Sequence, residues 1–204
     1  MNAPTLRGRP GAHRPSRLGW LAALCAAWLL AACQSAPRPA VARPEHPVDL
    51  ARFMGDWYVI AHIPTFIEKD AYNAVESYRL DPDGTIATTF TFRAGGFEGE
   101  PRRYNPRGFV LDRESNAVWG MRFVWPVKAD FRIAYVAPDY SQTVIAREKR
   151  DYVWIMARTP HIAEADLARL LQFVAAQGYD TAKMRQVPQR WEAPGAAPPA
   201  QGQP

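Results

Sequence analysis

Between Trp57 and Ala157 the chain breaks into eight short runs that alternate apolar and polar residues, and only afterwards does the period lengthen to that of a helix. Successive side chains of a strand point to opposite faces, so each run carries one apolar face that must be buried against the others. The runs are 57–63, 73–80, 85–93, 107–111, 117–125, 131–137, 143–148 and 152–157. Pro64 ends the first, Asp81-Pro82-Asp83-Gly84 suits a tight hairpin after the second, and Gly95-Gly96 breaks the third. Between 100 and 111, Pro101 and Pro106 interrupt the period and leave only a bent, edge-like strand at 107–111. This is the pattern of a sandwich or an up-and-down barrel. Ala163, Leu167, Leu170, Leu171 and Val174 then repeat at helical spacing, with Thr159 or Pro160 to start the helix and Gly178 to stop it. Ahead of the first run, Asp49 is placed to cap a short helical turn through Met54.

The N-terminal stretch reads differently. Arg7, Arg9, Arg14 and Arg17 precede an acid-free apolar run from Leu18 to Leu30, too short to span a bilayer comfortably and ordered like a secretory signal. It ends in Leu30-Ala31-Ala32-Cys33, which resembles the lipobox of bacterial lipoproteins, whose cysteine takes diacylglycerol before cleavage and whose freed amine is then acylated. The expected organisation is a signal peptide over 1–33, a proline-rich tether over 34–47, one domain over 48–190 and a disordered tail over 191–204. Several acyl chains on Cys33, at about 0.8 kcal/mol per buried methylene, would hold the chain to a membrane permanently.

The formal charge of +5 over 204 residues invites a nucleic-acid partner, but the four leader arginines supply most of it. Without them the chain is one charge from neutral, so no nucleic-acid surface is implied. Cys25 lies within the signal and Cys33 at its end, which leaves the domain with no disulfide, thiol nucleophile or cysteine metal cluster. His13, His46, His62 and His161 have no metal-ligand spacing, and no phosphate loop, nucleotide fingerprint or nucleophile elbow is present. No metal and no cofactor is expected. Glu68, Asp70 and Glu76 cluster near the first loop and read as a solvated, charged mouth.

Gly55-Asp56-Trp57-Tyr58 opens the first run and Arg158 closes the last. A glycine two residues before a tryptophan allows a tight turn, and an arginine from the far end of the sequence can lay its guanidinium on the indole. Three blocks recur around this pair: V-D-L-A-R-F-M-G-D-W-Y-V-I-A from Val48 to Ala61, A-P-D-Y-S-Q-T-V-I-A from Ala137 to Ala146, and R-D-Y-V-W-I-M-A-R-T-P from Arg150 to Pro160. In this order and spacing the sequence from 48 to 189 resembles the lipocalins, and among them the outer-membrane lipoprotein lipocalins of bacteria. Pro138 stands where the family more often has threonine before Asp139-Tyr140.

The resemblance implies an all-β fold, an eight-stranded antiparallel up-and-down barrel with the C-terminal helix packed outside. It implies that Gly55, Trp57 and Arg158 seal the closed end as structural residues. Phe90, Phe92, Trp119, Met121, Phe123, Trp125, Phe131 and Tyr135 form an aromatic and thioether stripe that periodicity alone allows to be either packed core or cavity lining. With the resemblance they become cavity candidates, and His62, Arg93 and Lys128 become candidates for contacting a headgroup at the mouth. A one-residue slip in any strand would invert such a list. The implied activity is binding, not catalysis: a fatty acid or lysophospholipid held for lipid storage or transport in membrane maintenance under stress. The implied location is the outer membrane of a bacterial envelope, anchored at Cys33 with the domain facing the periplasm, and a homodimer is left open. The competing readings are an enzyme acting on a lipid or isoprenoid, which a buried carboxylate or His–carboxylate pair inside the barrel would support, and a scaffold with a filled barrel.

Overall fold

A computed structural model describes residues 38–124 and 126–191. The chain divides after Pro39, and the strands belong to the unit that begins at Ala40. Cys33, Trp125 and the tail beyond Trp191 lie outside the described residues.

Helix α1 (Leu50–Phe53) is one turn, capped by an Asp49 carboxylate oxygen that accepts the Arg52 N–H at 3.2 Å. Gly55, at φ +92°, then swings the chain into β1 (Gly55–Ile63). Antiparallel strands follow: β2 (Ala71–Leu80), β3 (Thr85–Ala94), β4 (Glu100–Tyr104), β5 (Arg107–Val110), β6 (Val118–Val124), β7 (Val127–Val136), β8 (Gln142–Ala146) and β9 (Val153–Ala157). Each pairs with the next in sequence, except that β4 and β5 both pair with β3 and together supply the fourth strand. Pairing of β1 with β9 closes the sheet into an eight-stranded barrel, so no full-length edge remains.

The strand expected at 107–111 is thus half of a longer one. Its other half, β4, was hidden in the sequence by Pro101. β4 is paired only to β3, an edge-like position in which a missing N–H is tolerated. Asn105-Pro106 makes the break, and the Pro106 carbonyl accepts the Thr88 N–H at 3.1 Å to bridge it.

Helix α2 (Glu164–Ala176) lies outside the barrel and buries Leu170 and Val174 against Ala134, Val144, Val153 and Ile155. It starts at Glu164 after Ala163, later than Thr159 or Pro160; Thr159 spends its hydroxyl on the His161 carbonyl at 2.7 Å and so caps no helix. Gly178, at φ +84°, follows its end. The chain returns through a 3-10 turn (Thr181–Lys183) to β10 (Arg185–Gln186), which pairs with Ala61 and His62 of β1. Beyond it, the Val187 N–H donates to Ile60, the Pro188 carbonyl accepts from Asn73, and the Gln189 amide reaches the carbonyls of Val59 and Ala74. This segment stitches β1 to β2 where the two strands diverge.

The expected tether ends earlier than residue 47. Val41 is buried in the outer cluster, the Ala42 N–H donates to Gln177 Oε1 at 2.8 Å, and Arg43 pairs with Asp112 at 3.0 Å.

Candidate functional site

The two ends of the barrel differ. At one end Phe53, Trp57, Tyr78 and Trp119 pack ring against ring, with centroids 5.1–5.7 Å apart. Trp57 donates its indole N–H to the Phe53 carbonyl at 2.9 Å. Over its outer face lies Arg158, with Cζ 3.7 Å from the ring centroid. The guanidinium donates to the carbonyls of Asp56 (2.8 Å), Arg52 (2.8 Å) and Phe53 (3.1 Å). A Cβ at Gly55 would stand 3.5 Å from Arg158 Nη1, an ordinary contact, so it is the positive φ that requires glycine there. A charged group with several carbonyl acceptors and an aromatic platform satisfies carbonyls that the single turn of α1 leaves open.

The other end is open. A cavity of about 500 Å³ runs inward from it, rimmed by the 64–70 loop, the β6–β7 hairpin and the β8–β9 loop. Its wall and floor are largely apolar: Phe90, Met121, Phe131 and Trp154, with Glu76 among them. Glu76 stands opposite Trp57 on β1 and Phe90 on β3, one layer above the packed aromatic end. Around the mouth Phe66, Val124, Val127 and Phe123 are 82, 73, 69 and 55% exposed, an apolar rim on an open cavity.

Two carboxyls on the cavity shape the electrostatics, Glu68 buried and Glu76 half-buried. Glu68 reaches inward from the 64–70 loop, where Oε1 accepts the Thr65 N–H at 3.0 Å and both oxygens lie 3.3 Å from the Trp154 indole N–H. Its Oε2 is 3.7 Å from His62 Nδ1. Burial pushes the Glu68 carboxyl up, but the adjacent His62 ring, with the Thr65 contacts, outweighs it and holds the group below its usual value. Burial pushes the Glu76 carboxyl up to about 8; the Tyr78 hydroxyl offsets part of the rise and the charge of Glu68 adds to it. Its titration thus lies on the alkaline side of pH 7. At the rim, Asp130 is already engaged by Arg132 Nε (3.0 Å) and the Glu148 N–H (2.7 Å), and Arg147 lies 3.4 Å from Asp151.

A family model for a lipocalin-like domain matches residues 48–189. The chain is a lipocalin. Relatives include temperature-induced lipocalin-1 of Arabidopsis thaliana, 30% identical over 154 residues that cover 70% of this chain and 80% of the relative. Outer membrane lipoprotein Blc of Escherichia coli K12 is 26% identical over 173 residues, covering 80% of this chain and 92% of its own. Among solved structures, the cockroach allergen Per a 4 superposes with a TM-score of 0.55 at 16% identity, covering 76% of this chain and 97% of the allergen. Insecticyanin of the tobacco hornworm gives 0.55 at 15% identity, covering 72% and 83%. At such identities the structures speak for the fold, the closed barrel with an outer C-terminal helix.

Within this lipocalin the stripe of expected cavity residues is split. Phe90, Met121, Phe123 and Phe131 line the cavity, Phe123 at its rim. Phe92 points inward but is buried against Phe90 and Tyr104, and Trp119 belongs to the packed end, stacked on Phe131 with centroids 5.1 Å apart. Tyr135 is on the outer wall beside Phe173 and Arg169 of α2. An irregular register between Ile133 and Tyr135 reverses the alternation of β7 there.

None of the three mouth candidates lines the cavity. His62 is buried beneath the 64–70 loop, not solvated at the mouth, because a bulge between Val59 and Ala61 shifts the parity of β1. Arg93 is exposed and donates to the Gly99 carbonyl at 3.2 Å; Lys128 lies on the outer face over the Phe109 ring, 4.0 Å from its centroid. Conversely, Glu68 and Glu76 are not a solvated loop cluster. Sequence reasoning missed them although β2 carries the signal: Ala74, Glu76 and Tyr78 share one inward parity, so a carboxyl sits on an apolar face. Among the described residues, no three His, Cys, Asp or Glu come together as metal ligands.

Proposed function

We propose that this lipocalin is an envelope lipoprotein, anchored through an acylated Cys33, that binds one fatty acid or lysophospholipid for storage or transport during membrane maintenance. The observation that carries this reading is the largely apolar cavity of about 500 Å³, open at one end of the barrel and closed at the other. Burying an acyl chain there contributes about 25 cal/mol per Å² of apolar surface, which suffices for affinity without bond-making chemistry. The charged headgroup stays at the mouth, since the largely apolar interior would strip it of water and Glu68 adds a carboxyl to the lining. Phe66, Phe123, Val124 and Val127 give that mouth an apolar surface suited to taking a chain from a lipid layer. Likeness to an outer membrane lipoprotein over most of both chains supports the location.

A filled-barrel scaffold does not fit a barrel with this cavity. The enzymatic reading draws support from one observation, the buried His62–Glu68 pair. Yet Glu68 is already engaged by Thr65 and Trp154, an arrangement that fastens the 64–70 loop to the barrel wall. The deciding experiment is native mass spectrometry of the protein purified from membranes, followed by titration of the delipidated protein with a fluorescent fatty acid and a lysophospholipid. One bound amphiphile per chain and saturable binding are expected. Absence of both would reject the reading.

A further inference from the structure

The β8–β9 loop sets a cation on the cavity that is not among the residues expected there. On β8, Ile145 packs into the barrel interior while Val144 and Ala146 pack outward beneath α2. Arg147 comes next and continues the inward face. It lines the cavity, and of the described lining residues it alone is a lysine or arginine. Its backbone is clamped on both sides by a buried tyrosine: the Arg147 N–H donates to the Tyr179 hydroxyl at 2.8 Å, and that hydroxyl donates to the Arg147 carbonyl at 3.0 Å. The guanidinium is therefore carried on a fixed point of the rim, not on a wandering loop.

The protein itself makes little use of that guanidinium. The side chain is only 18% exposed, yet its buried Nε makes no hydrogen bond. Asp151 Oδ1 approaches Nε at 3.4 Å without the alignment of a hydrogen bond, and the same oxygen accepts the Tyr152 N–H at 3.0 Å. Among the described residues neither Nη donates a hydrogen bond. The Tyr152 ring, which also lines the cavity, flanks the group with its centroid 5.3 Å from Cζ. Two acids that share the lining are held by other partners, Glu68 by Thr65, Trp154 and His62, and Asp130 by Arg132 and the Glu148 N–H. An arginine whose Nη edge is open presents two parallel donors, the geometry that a carboxylate or a phosphate accepts in bidentate fashion. We infer that Arg147 is the headgroup-binding residue of the mouth, its Nη1 and Nη2 taking the paired oxygens of an anionic head while the chain occupies the apolar lining. The inference rests on the amphiphile-binding reading and deepens it: the site selects an anionic head over a neutral one.

The test uses two matched pairs of competitors against a fluorescent fatty acid: hexadecanoic acid with hexadecanol, and hexadecanoyl lysophosphatidylglycerol with monohexadecanoylglycerol. Wild type, Arg147→Gln, Arg147→Lys and Asp151→Asn are compared as full proteins in one detergent. Taking the charged-to-neutral ratio within each protein, and comparing ratios between proteins, cancels micelle partitioning and any loss of folded fraction. The charged member is expected to lose about tenfold against its neutral partner in Arg147→Gln relative to wild type, as one charge-assisted contact supplies. Arg147→Lys, which keeps the charge and loses the fork, should retain part of the preference. Asp151→Asn should match or exceed the wild-type ratio, because it removes a carboxylate drawn to the guanidinium. A loss in the first pair alone assigns the site to a carboxylate, and a loss in the second alone to a phosphate; either supports the subsite. Unchanged ratios in both pairs for Arg147→Gln, or an Asp151→Asn ratio as low as that of Arg147→Gln, would overturn it while leaving amphiphile binding intact. Failure of all four compounds to compete would overturn the amphiphile-binding reading itself, and the subsite with it.

Discussion

Arg158 and Glu76 are two charge-bearing side chains at neighbouring levels of the same barrel, handled in opposite ways. Arg158 is surrounded by carbonyl acceptors and an indole face. Arg158→Ala should therefore lower stability by on the order of 1–3 kcal/mol in urea unfolding, with little change in ligand affinity, because none of its contacts faces the cavity. A large affinity loss at unchanged stability would place the residue functionally at the wrong end. Glu76 faces Tyr78 on its own strand and Glu68 from the 64–70 loop, neither of which favours its charge enough to offset burial. Its folded-state value, about 8, lies above the 4.5 of the free carboxyl, so between these pH values the folded protein keeps a proton that the unfolded chain has released. That contribution is complete below pH 4.5 and is lost as pH rises through 8. Glu76→Gln should consequently match wild type near pH 5 and exceed its melting temperature at pH 9, by an amount equivalent to a few kcal/mol at most. A difference independent of pH would contradict the neutral acid.

At the scale of elements, alternation was legible wherever a strand kept its register. The parity of β3 put Ile86, Thr88, Phe90 and Phe92 on one face, and the structure turns that face inward. It was illegible where a bulge intervenes, since one extra residue exchanges inside for outside. Tyr135 went to the outer wall and His62 to the interior for that reason, and no local composition marks either bulge. The carboxyl of Glu76 was legible in parity but not in consequence, because its neutrality depends on burial that only the closed barrel creates. The two residues of β10 carried no periodic signal, yet the segment behind them ties β1 to β2. Ending the chain after Met184 should cost stability of about 2–4 kcal/mol, on the order of four net hydrogen bonds. The loss would appear first as faster hydrogen exchange at the Asn73 amide, which donates to the Pro188 carbonyl, and equal protection with and without the segment would show the stitch to be passive.

For the molecule as a whole, the asymmetry of the barrel matters more than any single contact. One end is locked by Arg158 and α1, and the other is an open mouth with apolar side chains at its rim. Val41 is the first buried residue, so the stretch between Cys33 and the first buried contact is only a few residues long. At no more than about 3.5 Å per residue, such a stretch spans roughly 28 Å even when fully extended. An acylated Cys33 would hold the barrel close to the lipid surface, within reach for exchange of a single chain at the mouth. Two measurements separate anchoring from mouth contact. Cys33→Ser should move the protein from the detergent phase to the aqueous phase in a phase-separation assay, and unchanged partitioning would remove the anchor from the account. In the acylated protein, Phe66→Glu should leave partitioning unaltered but slow the uptake of a fluorescent fatty acid from vesicles several-fold, because a charge on the most exposed apolar rim residue opposes its contact with lipid. Uptake at the wild-type rate would mean that the chain reaches the cavity through water and that the apolar rim is not the route.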